Sequence, residues 1–288
     1  MIGRIVAGVD LVEGVPVAVE WARALGTTLG VPVEALHVVT PPVLTGQPFV
    51  EGGVVETELV EAARRAAEAR VARDAVAPIP LRVATGRPHE ELAHAGGEGT
   101  VLVVGAGTRR WFNTLVGTTT DRLLRVATGP VLVVRGAPVR ITRVVAALEL
   151  SEGSERLLQI AGGWATALGA RLVAFHAPQP LWSEPLPGLD PSFTVGTLSE
   201  TPQEGTERAR KALESIIARA GIPGVETELA SYARDPSRSV AEAGEAEGTL
   251  VVTGTHGRSG LDRAVLGSVA EGVVQRARGP VLVVPGAG

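Results

Sequence analysis

The residues with the clearest chemical purpose lie in one short stretch, "GTHGRSGLDRAVLGS", residues 254–268. It follows a run of valines and leads into an apolar-periodic segment. Gly254, Gly257 and Gly267 let backbone amides approach a ligand with no Cβ in the way. Ser268 opens a helix candidate over 268–277, in which Val269, Val273, Val274 and Ala277 share one face. A helix start carries unpaired N–H groups and a partial positive charge, and so attracts anions. Arg258 and Arg263 add positive charge nearby, and Thr255 and His256 lie inside the loop. The stretch has the makings of a phosphate cradle. Ser268 and Glu271 have the spacing of a capping box, and Thr118 with Asp121 gives a similar helix-start signal earlier in the chain. Taken singly, Gly254 and Gly257 read as turn residues and Gly267-Ser268 as a cap. Their joint spacing after a strand favours the cradle.

Other chemistries are poorly supplied. No GxxxxGK[ST] motif and no kinase motif set is present, and Lys211 is the only lysine. No residue is assigned a catalytic role, and the sequence argues against a fast enzyme of known type. His256 could touch a phosphate, but a binding or loop-packing role outweighs general acid chemistry. His37 and His176 occupy matching strand positions and read as packing residues. His89 and His94 fall on a polar helix and read as solvent-exposed. Trp21 and Trp164 fall at matching places on the first helix of each half and read as core. No His/Asp/Glu cluster has metal-ligand spacing, so no metal site is expected, although magnesium could arrive with a phosphate-bearing ligand. Cysteine is absent, which excludes disulfides, thiolate zinc sites and cysteine nucleophiles.

The elements that must hold the loop come in two sets, because the chain repeats itself. "GPVLVV" occurs at 129–134 and again at 279–284, an offset of 150 residues. "EGTVLVVG" at 98–105 matches "EGTLVVTG" at 247–254, and "GRPHEEL" at 86–92 matches "RDPSRSV" at 234–240. "ALHVV" (35–39) matches "AFHAP" (174–178), "EWARALG" (20–26) matches "GWATALG" (163–169), and "RIVAGVD" (4–10) matches "RVVAALE" (143–149). The order is kept throughout, so two domains are expected, 1–137 and 138–288, joined near Gly136-Ala137-Pro138.

Each copy alternates short Val-rich runs with longer Ala/Arg/Glu/Leu stretches. Strands are expected at 4–9, 33–39, 79–84, 100–104 and 130–134, and at 142–148, 171–176, 225–231, 249–253 and 280–284. Helices are expected between them, for example over 57–76 and 206–220. Strands apolar on both faces, alternating with helices, indicate a parallel sheet covered on both sides. Ligands in such sheets bind beyond the C-terminal strand ends, where strand order reverses. The fourth and first strands meet there, which brings the glycine loop towards the acid that ends strand one: Asp10 in the first copy, Glu149 in the second. Residues 178–205 are too Pro-rich for a regular element and read as a surface insertion; 40–55 is a shorter counterpart.

Composition adds bounds. Of 288 residues, 45% are hydrophobic and 20% charged, ordinary for a globular protein. A net charge of −4 gives no reason to expect nucleic acid or an acidic membrane as partner. The apolar runs, such as Val281–Val284, are far too short to span a bilayer, and Met1-Ile2-Gly3-Arg4 leads straight into a strand with no signal-peptide pattern. A cytoplasmic protein is expected.

At these residues the sequence resembles the universal stress protein family. The ATP-binding branch carries Gly-x-x-Gly, nine residues, then Gly-Ser/Thr, and Gly254, Gly257 and Gly267-Ser268 follow that spacing without departure. "ALHV", "GRPHEEL", "VVTGTHGRSG" and the closing "GPVLVV" are also similar, and the resemblance covers both halves. It implies two Rossmann-like, doubly wound α/β domains, each a five-stranded parallel sheet of order 3-2-1-4-5 with helices on both faces. It implies that the last strands, 130–134 and 280–284, pair within the chain as an intramolecular pseudo-dimer, leaving room for a homodimer. It implies ATP or another adenine nucleotide as ligand. In the second copy it assigns that ligand Ala147, Glu149, Ala177, Gly254, Thr255, His256, Gly257, Arg258, Gly267, Ser268, Val269 and Ala270. In the first copy it assigns Gly8, Asp10, Val38, Gly105, Gly107, Gly117, Thr118, Thr119 and Thr120. The first copy keeps the aspartate but has Gly105-Ala106-Gly107, one residue short; the second keeps the glycines but has Glu149 for aspartate. Phosphates need the backbone geometry, so the second copy is expected to bind better. A regulatory ATP-binding protein is expected over a slow hydrolysing or adenylate- or phosphate-transferring enzyme, and over an interaction module that has lost its nucleotide.

Overall fold

The computed structural model describes residues 2–10, 17–40, 58, 61–66, 68–69, 79–106, 118–180, 200–255 and 266–286. The first half contains β1 (Arg4–Val9), α1 (Val17–Leu29), β2 (Val33–Val39), β3 (Leu81–Thr85), α2 (Pro88–Ala95), β4 (Thr100–Gly105), α3 (Thr118–Val126) and β5 (Val131–Val134). The second contains β6 (Arg143–Ala147), α4 (Ser154–Leu168), β7 (Arg171–His176), α5 (Pro202–Ala220), β8 (Glu226–Leu229), α6 (Pro236–Ala243), β9 (Thr249–Gly254), α7 (Ser268–Arg276) and β10 (Val281–Val284). Residues 61–66 and 68–69 are also helical, inside the stretch expected over 57–76.

The strands form one ten-stranded sheet of order β3-β2-β1-β4-β5-β10-β9-β6-β7-β8. Each half therefore has the order 3-2-1-4-5. Every neighbouring pair is parallel except β5 and β10, which run antiparallel with Leu132 opposite Leu282. Those two leucines are repeat equivalents, so the pseudo-twofold axis passes between them. The pairing removes both central edges, which would otherwise expose unpaired backbone groups.

Side chains alternate between the two faces with the period of a strand. Ile5, Ala7, Leu132, Val134, Leu282 and Val284 face one layer with Trp21 of α1, Trp164 and Leu158 of α4 and Leu213 of α5. Val6, Val131, Val133, Val281 and Val283 face the other with Leu92 of α2, Leu123 of α3, Val240 of α6 and Val273 of α7. Burying one such side chain contributes about 1.5–3 kcal/mol. Trp21 also donates its Nε1–H to the Gly136 carbonyl at 3.0 Å, which ties α1 to the segment joining the halves. The repetition extends to polar contacts: Arg4 donates to the Ala95 carbonyl at 3.1 Å and Arg143 to the Ala243 carbonyl at 2.6 Å. Each places a cation at the C-terminal end of a helix, where it opposes the helix dipole.

The structure corrects several local expectations. α5 begins at Pro202, four residues before the expected start, because Thr201 and Glu204 form a reciprocal capping box around Pro202 at the first helical position. Residues 202–205 thus belong to a helix, not to the insertion, of which 181–199 lie outside the described residues. His89 is not solvent-exposed: its side chain is 15% exposed, and burial lowers its pKa below the usual 6.5. His94 is exposed, as expected. Trp21 and Trp164 are buried at 2% and 4%.

Candidate functional site

A cavity of about 180 Å³ opens at the C-terminal ends of β6, β7 and β9. β6 leads into Leu148, Glu149 and Leu150; β7 ends at His176 and leads into Ala177; β9 contributes Thr253. Pro236 and Val240 enter from α6, Val269 from α7, Gln179 from the segment after β7, and Arg208 from α5. This is the crevice where strand order reverses, because β6 is followed by β7 on one side and flanked by β9 on the other.

Four of the residues assigned from the sequence, Ala147, Glu149, Ala177 and Val269, line this cavity together. Gly254 ends β9, and Thr255 follows it, buried at 4%. Three bonds pin Thr255: its amide donates to the Val284 carbonyl (3.2 Å), its carbonyl accepts from Gly267 N–H (2.7 Å), and its hydroxyl accepts from Gly286 N–H (3.3 Å). The neck of the loop is therefore closed, and Gly267-Ser268 sits directly beside the end of β9. Ser268, Val269 and Ala270 form the first turn of α7. His256, Gly257 and Arg258, with Arg263, lie outside the described residues.

The expected capping box is absent from α7. Gly267 has extended backbone angles (φ −62°, ψ 146°) and takes the N-cap position itself, so Ser268 is already helical and no side chain caps the helix. Glu271 instead accepts from Gln275 at 3.1 Å and lies 3.6 Å from Arg125. The consequence is chemical: among the described residues, the first-turn amides of α7 have neither an intrahelical acceptor nor a side-chain cap. The neighbouring helix start differs. At α6, Asp235 accepts from the amides of Ser237 (2.9 Å) and Arg238 (3.3 Å) and from the Ser237 hydroxyl (2.7 Å). The Ser237 hydroxyl bond, helped by the two amides, holds the Asp235 carboxyl below its usual range. The two helix starts at the cavity therefore differ: α6 carries a side-chain cap, and among the described residues α7 carries none.

The strand histidines do more than pack. His176 Nδ1 lies 2.7 Å from the Leu148 carbonyl and His37 Nδ1 lies 2.9 Å from the Val9 carbonyl. A carbonyl can only accept, so Nδ1 carries the proton in each. The bond fixes the chain just before Glu149 and just before Asp10. Leu150 follows Glu149 with φ 59°, a left-handed conformation that a bulky residue rarely adopts. The chain turns sharply there, directly after the acid.

The first half places Gly8, Asp10, Val38 and Gly105 at the ends of β1, β2 and β4, and Thr118, Thr119 and Thr120 in the first turn of α3. Thr120 donates its hydroxyl to the Gly105 carbonyl at 2.9 Å, and Asp121 pairs with Arg125 at 3.1 Å, which engages that carboxylate along its own helix. Gly107 and Gly117 lie outside the described residues. Gly8 stands where the second half has Ala147. A Cβ there would meet Leu92 Cδ2 and Val104 Cγ1, each at 3.3 Å. Leu92 and Val104, 5% and 4% exposed, are the repeat equivalents of Val240 and Thr253. At two of the positions that line the cavity in the second half, the first half carries Leu92 for Val240 and Val104 for Thr253, and Gly8 leaves the room that Leu92 takes.

Eight cavity residues escaped the sequence reading: Leu148, Leu150, His176, Gln179, Arg208, Pro236, Val240 and Thr253. Pro236 and Val240 had a signal, since they belong to the repeated "RDPSRSV" segment. Arg208 had none; it lies on a helix far along the chain, where Glu200 holds it by two bonds of 2.9 and 2.8 Å and it donates to the Gln179 carbonyl at 3.3 Å. Among the described residues no group of His, Asp or Glu could hold a metal ion, and no helix is long and apolar enough to cross a membrane.

The fold is shared with known proteins. A model of the universal stress protein family matches residues 1–135 and again 140–285. A universal stress protein of Mycolicibacterium smegmatis is 30% identical over 297 residues, covering 97% of this chain and 96% of its own. One of Mycobacterium tuberculosis is 27% identical over 292 residues, covering 97% and 95%. The crystal structure of a universal stress protein from Archaeoglobus fulgidus matches 98% of both chains with a TM-score of 0.68 at 20% identity.

Proposed function

The chain belongs to the universal stress protein family, whose domain it carries twice, and we propose that it is a regulatory protein whose second half binds ATP as a sensing ligand. The observation that carries this is the cavity beside the uncapped first turn of α7. The residues fit the group. Ala147, Ala177, Val240 and Val269 offer an apolar slot for a base, and Glu149 offers acceptors for ribose hydroxyls or an exocyclic amine. The amides of Ser268, Val269 and Ala270 would receive phosphate oxygens, with Gly254, Thr255, His256, Gly257, Arg258 and Gly267 framing them. Magnesium would arrive with the phosphates. The nucleotide supplies a charge and shape that the protein senses; the chain's own residues bind and orient it.

The two functional units are residues 1–137 and 138–288. The set Gly8, Asp10, Val38, Gly105, Gly107, Gly117, Thr118, Thr119 and Thr120 belongs to a weaker site, because its glycines are one residue short of the motif and Leu92 packs against Gly8 where the second half has Val240 and Ala147. That packing favours an interaction or support role for the first half. The protein acts in the cytoplasm, and two chains can associate as a homodimer. The test is direct: the purified protein is analysed by mass for retained nucleotide and titrated with ATP calorimetrically, beside a variant with Gly257 and Gly267 replaced by valine. One ATP per chain, lost in the variant, is expected. Equal affinity in the variant would remove the cradle from the site, and steady conversion to ADP would favour the slow-enzyme alternative.

A further inference from the structure

α7, the helix whose first turn forms the cradle, is held by two arginines of the other half. Arg135, just past β5, donates from Nη2 to the Val274 carbonyl at 2.5 Å. Val274 lies in the last turn of α7, where carbonyls have no intrahelical donor. Arg125, on α3, lies 3.6 Å from Glu271 in the first turn. Both arginines therefore reach across the pseudo-twofold, one to each end of the same nine-residue helix.

The grip runs one way. The repeat equivalent of Arg125 is Gln275, which donates to Glu271 of its own helix at 3.1 Å. The equivalent of Arg135 is Pro285, which has no side-chain donor. The second half offers α3 neither contact in return. Arg135 is largely removed from water, and its Nη1 is buried with no hydrogen-bond partner among the described residues. Burying a guanidinium with a donor unspent is costly, so chain packing alone does not favour it. The cost is accepted at the one helix that carries the intact glycine motif.

We propose that the first half is an intramolecular positioning subunit for α7: Arg135 fixes the end of the helix, and Arg125, hydrogen-bonded to Asp121 of its own helix, offsets part of the Glu271 charge beside the cradle. Its effect on nucleotide binding rests on the ATP reading given above. Neither arginine touches the ligand; both act through α7. Without Arg125, Glu271 keeps its bond from Gln275 but loses the cation 3.6 Å away, one turn from the proposed phosphate site. Without Arg135, the last turn loses its donor and the helix frays.

The full-length protein is compared with Arg135→Met, Arg135→Lys, Arg125→Gln and the double variant Arg125→Gln/Glu271→Gln. Hydrogen exchange is followed separately over 268–276 and 118–126, and ATP affinity by calorimetry. Arg135→Met is expected to speed exchange in α7 but not α3, with Arg135→Lys recovering part of the protection. ATP should bind about tenfold more weakly to Arg135→Met, the equivalent of one lost charge-assisted hydrogen bond. Arg125→Gln should weaken ATP binding in a salt-sensitive way, and adding Glu271→Gln should restore it. Exchange rising equally in both helices, or unchanged in α7, would overturn the proposal. Wild-type protein that binds no ATP would overturn the nucleotide reading alone, and the exchange comparison would still decide the clamp.

Discussion

The asymmetry between the two crevices can be transplanted. Val240 and Thr253 line the cavity of the second half, and their repeat equivalents Leu92 and Val104 pack against Gly8 in the first. The double substitution Val240→Leu/Thr253→Val writes the first half's packing into the second. Val240 and Thr253 are 4% and 3% exposed, so the new atoms enter a site already out of water. Val240→Leu adds one methylene beside a cavity of about 180 Å³; Ala147 carries the Cβ that Gly8 lacks, so the new methyl must turn into the cavity. The gain from burying it is up to about 0.8 kcal/mol, and Thr253→Val exchanges a hydroxyl for a methyl of similar size. A ligand that used the same space would meet an overpacked wall at a cost of about 1–3 kcal/mol. That corresponds to a loss of roughly 5–150-fold in affinity. The two effects have opposite signs, and that makes the variant informative. Urea denaturation of the ligand-free protein should show equal or slightly higher stability, while calorimetry shows weaker ATP binding. A general lesion would lower both. Undiminished ATP affinity in a stable double variant would refute the idea that this cavity is the base slot.

Three further perturbations test the frame around the site. Asp235→Ala removes the cap of α6 and should cost about 1 kcal/mol in denaturant unfolding, with no new anion affinity at that helix if α7 is the cradle. The same residue sets a pH dependence. Its folded pKa lies below the usual 3.8, so its contribution is complete above that value and disappears as pH falls through the lower folded pKa; Asp235→Ala should flatten the acid limb of the stability profile there. Trp21→Phe loses the bond to the Gly136 carbonyl and should cost at least about 1 kcal/mol, read by chemical denaturation. Leu158→Ala, at a fully buried position in α4, should cost about 2–5 kcal/mol by the same measurement, and a smaller loss would mean that the layer collapses around the void.

Much of the fold was legible because its signals are local. Val-rich runs such as 100–104 and 249–253 mark strands by composition, and the repeated "GPVLVV" marks the two strands that meet at the axis. Element ends were less legible where a cap decides them. Ser268 and Glu271 have capping-box spacing, yet Gly267 takes the cap because its own backbone is already extended. Thr201 and Glu204, with the same spacing, form the box. His89 reads as polar and exposed along a helix, but packing covers it, and no local pattern announces that.

The candidate site divides in the same way. The sequence alone determined the glycine spacing at 254–268, the acids after the first strand of each half, and the copy with the intact motif. These depend on residues close together in the chain, whose backbone geometry is set by their own side chains or lack of them. Only the tertiary structure showed which residues line the crevice of the second half. A single methylene separates Leu92 from Val240, and its effect depends on Gly8 and Val104, which reach it from other strands. Only the tertiary structure brought Arg208 to the cavity wall and set Arg125 and Arg135 against α7. Such contacts join residues more than a hundred positions apart in the last two cases, and they exist only once the two halves have docked through β5 and β10.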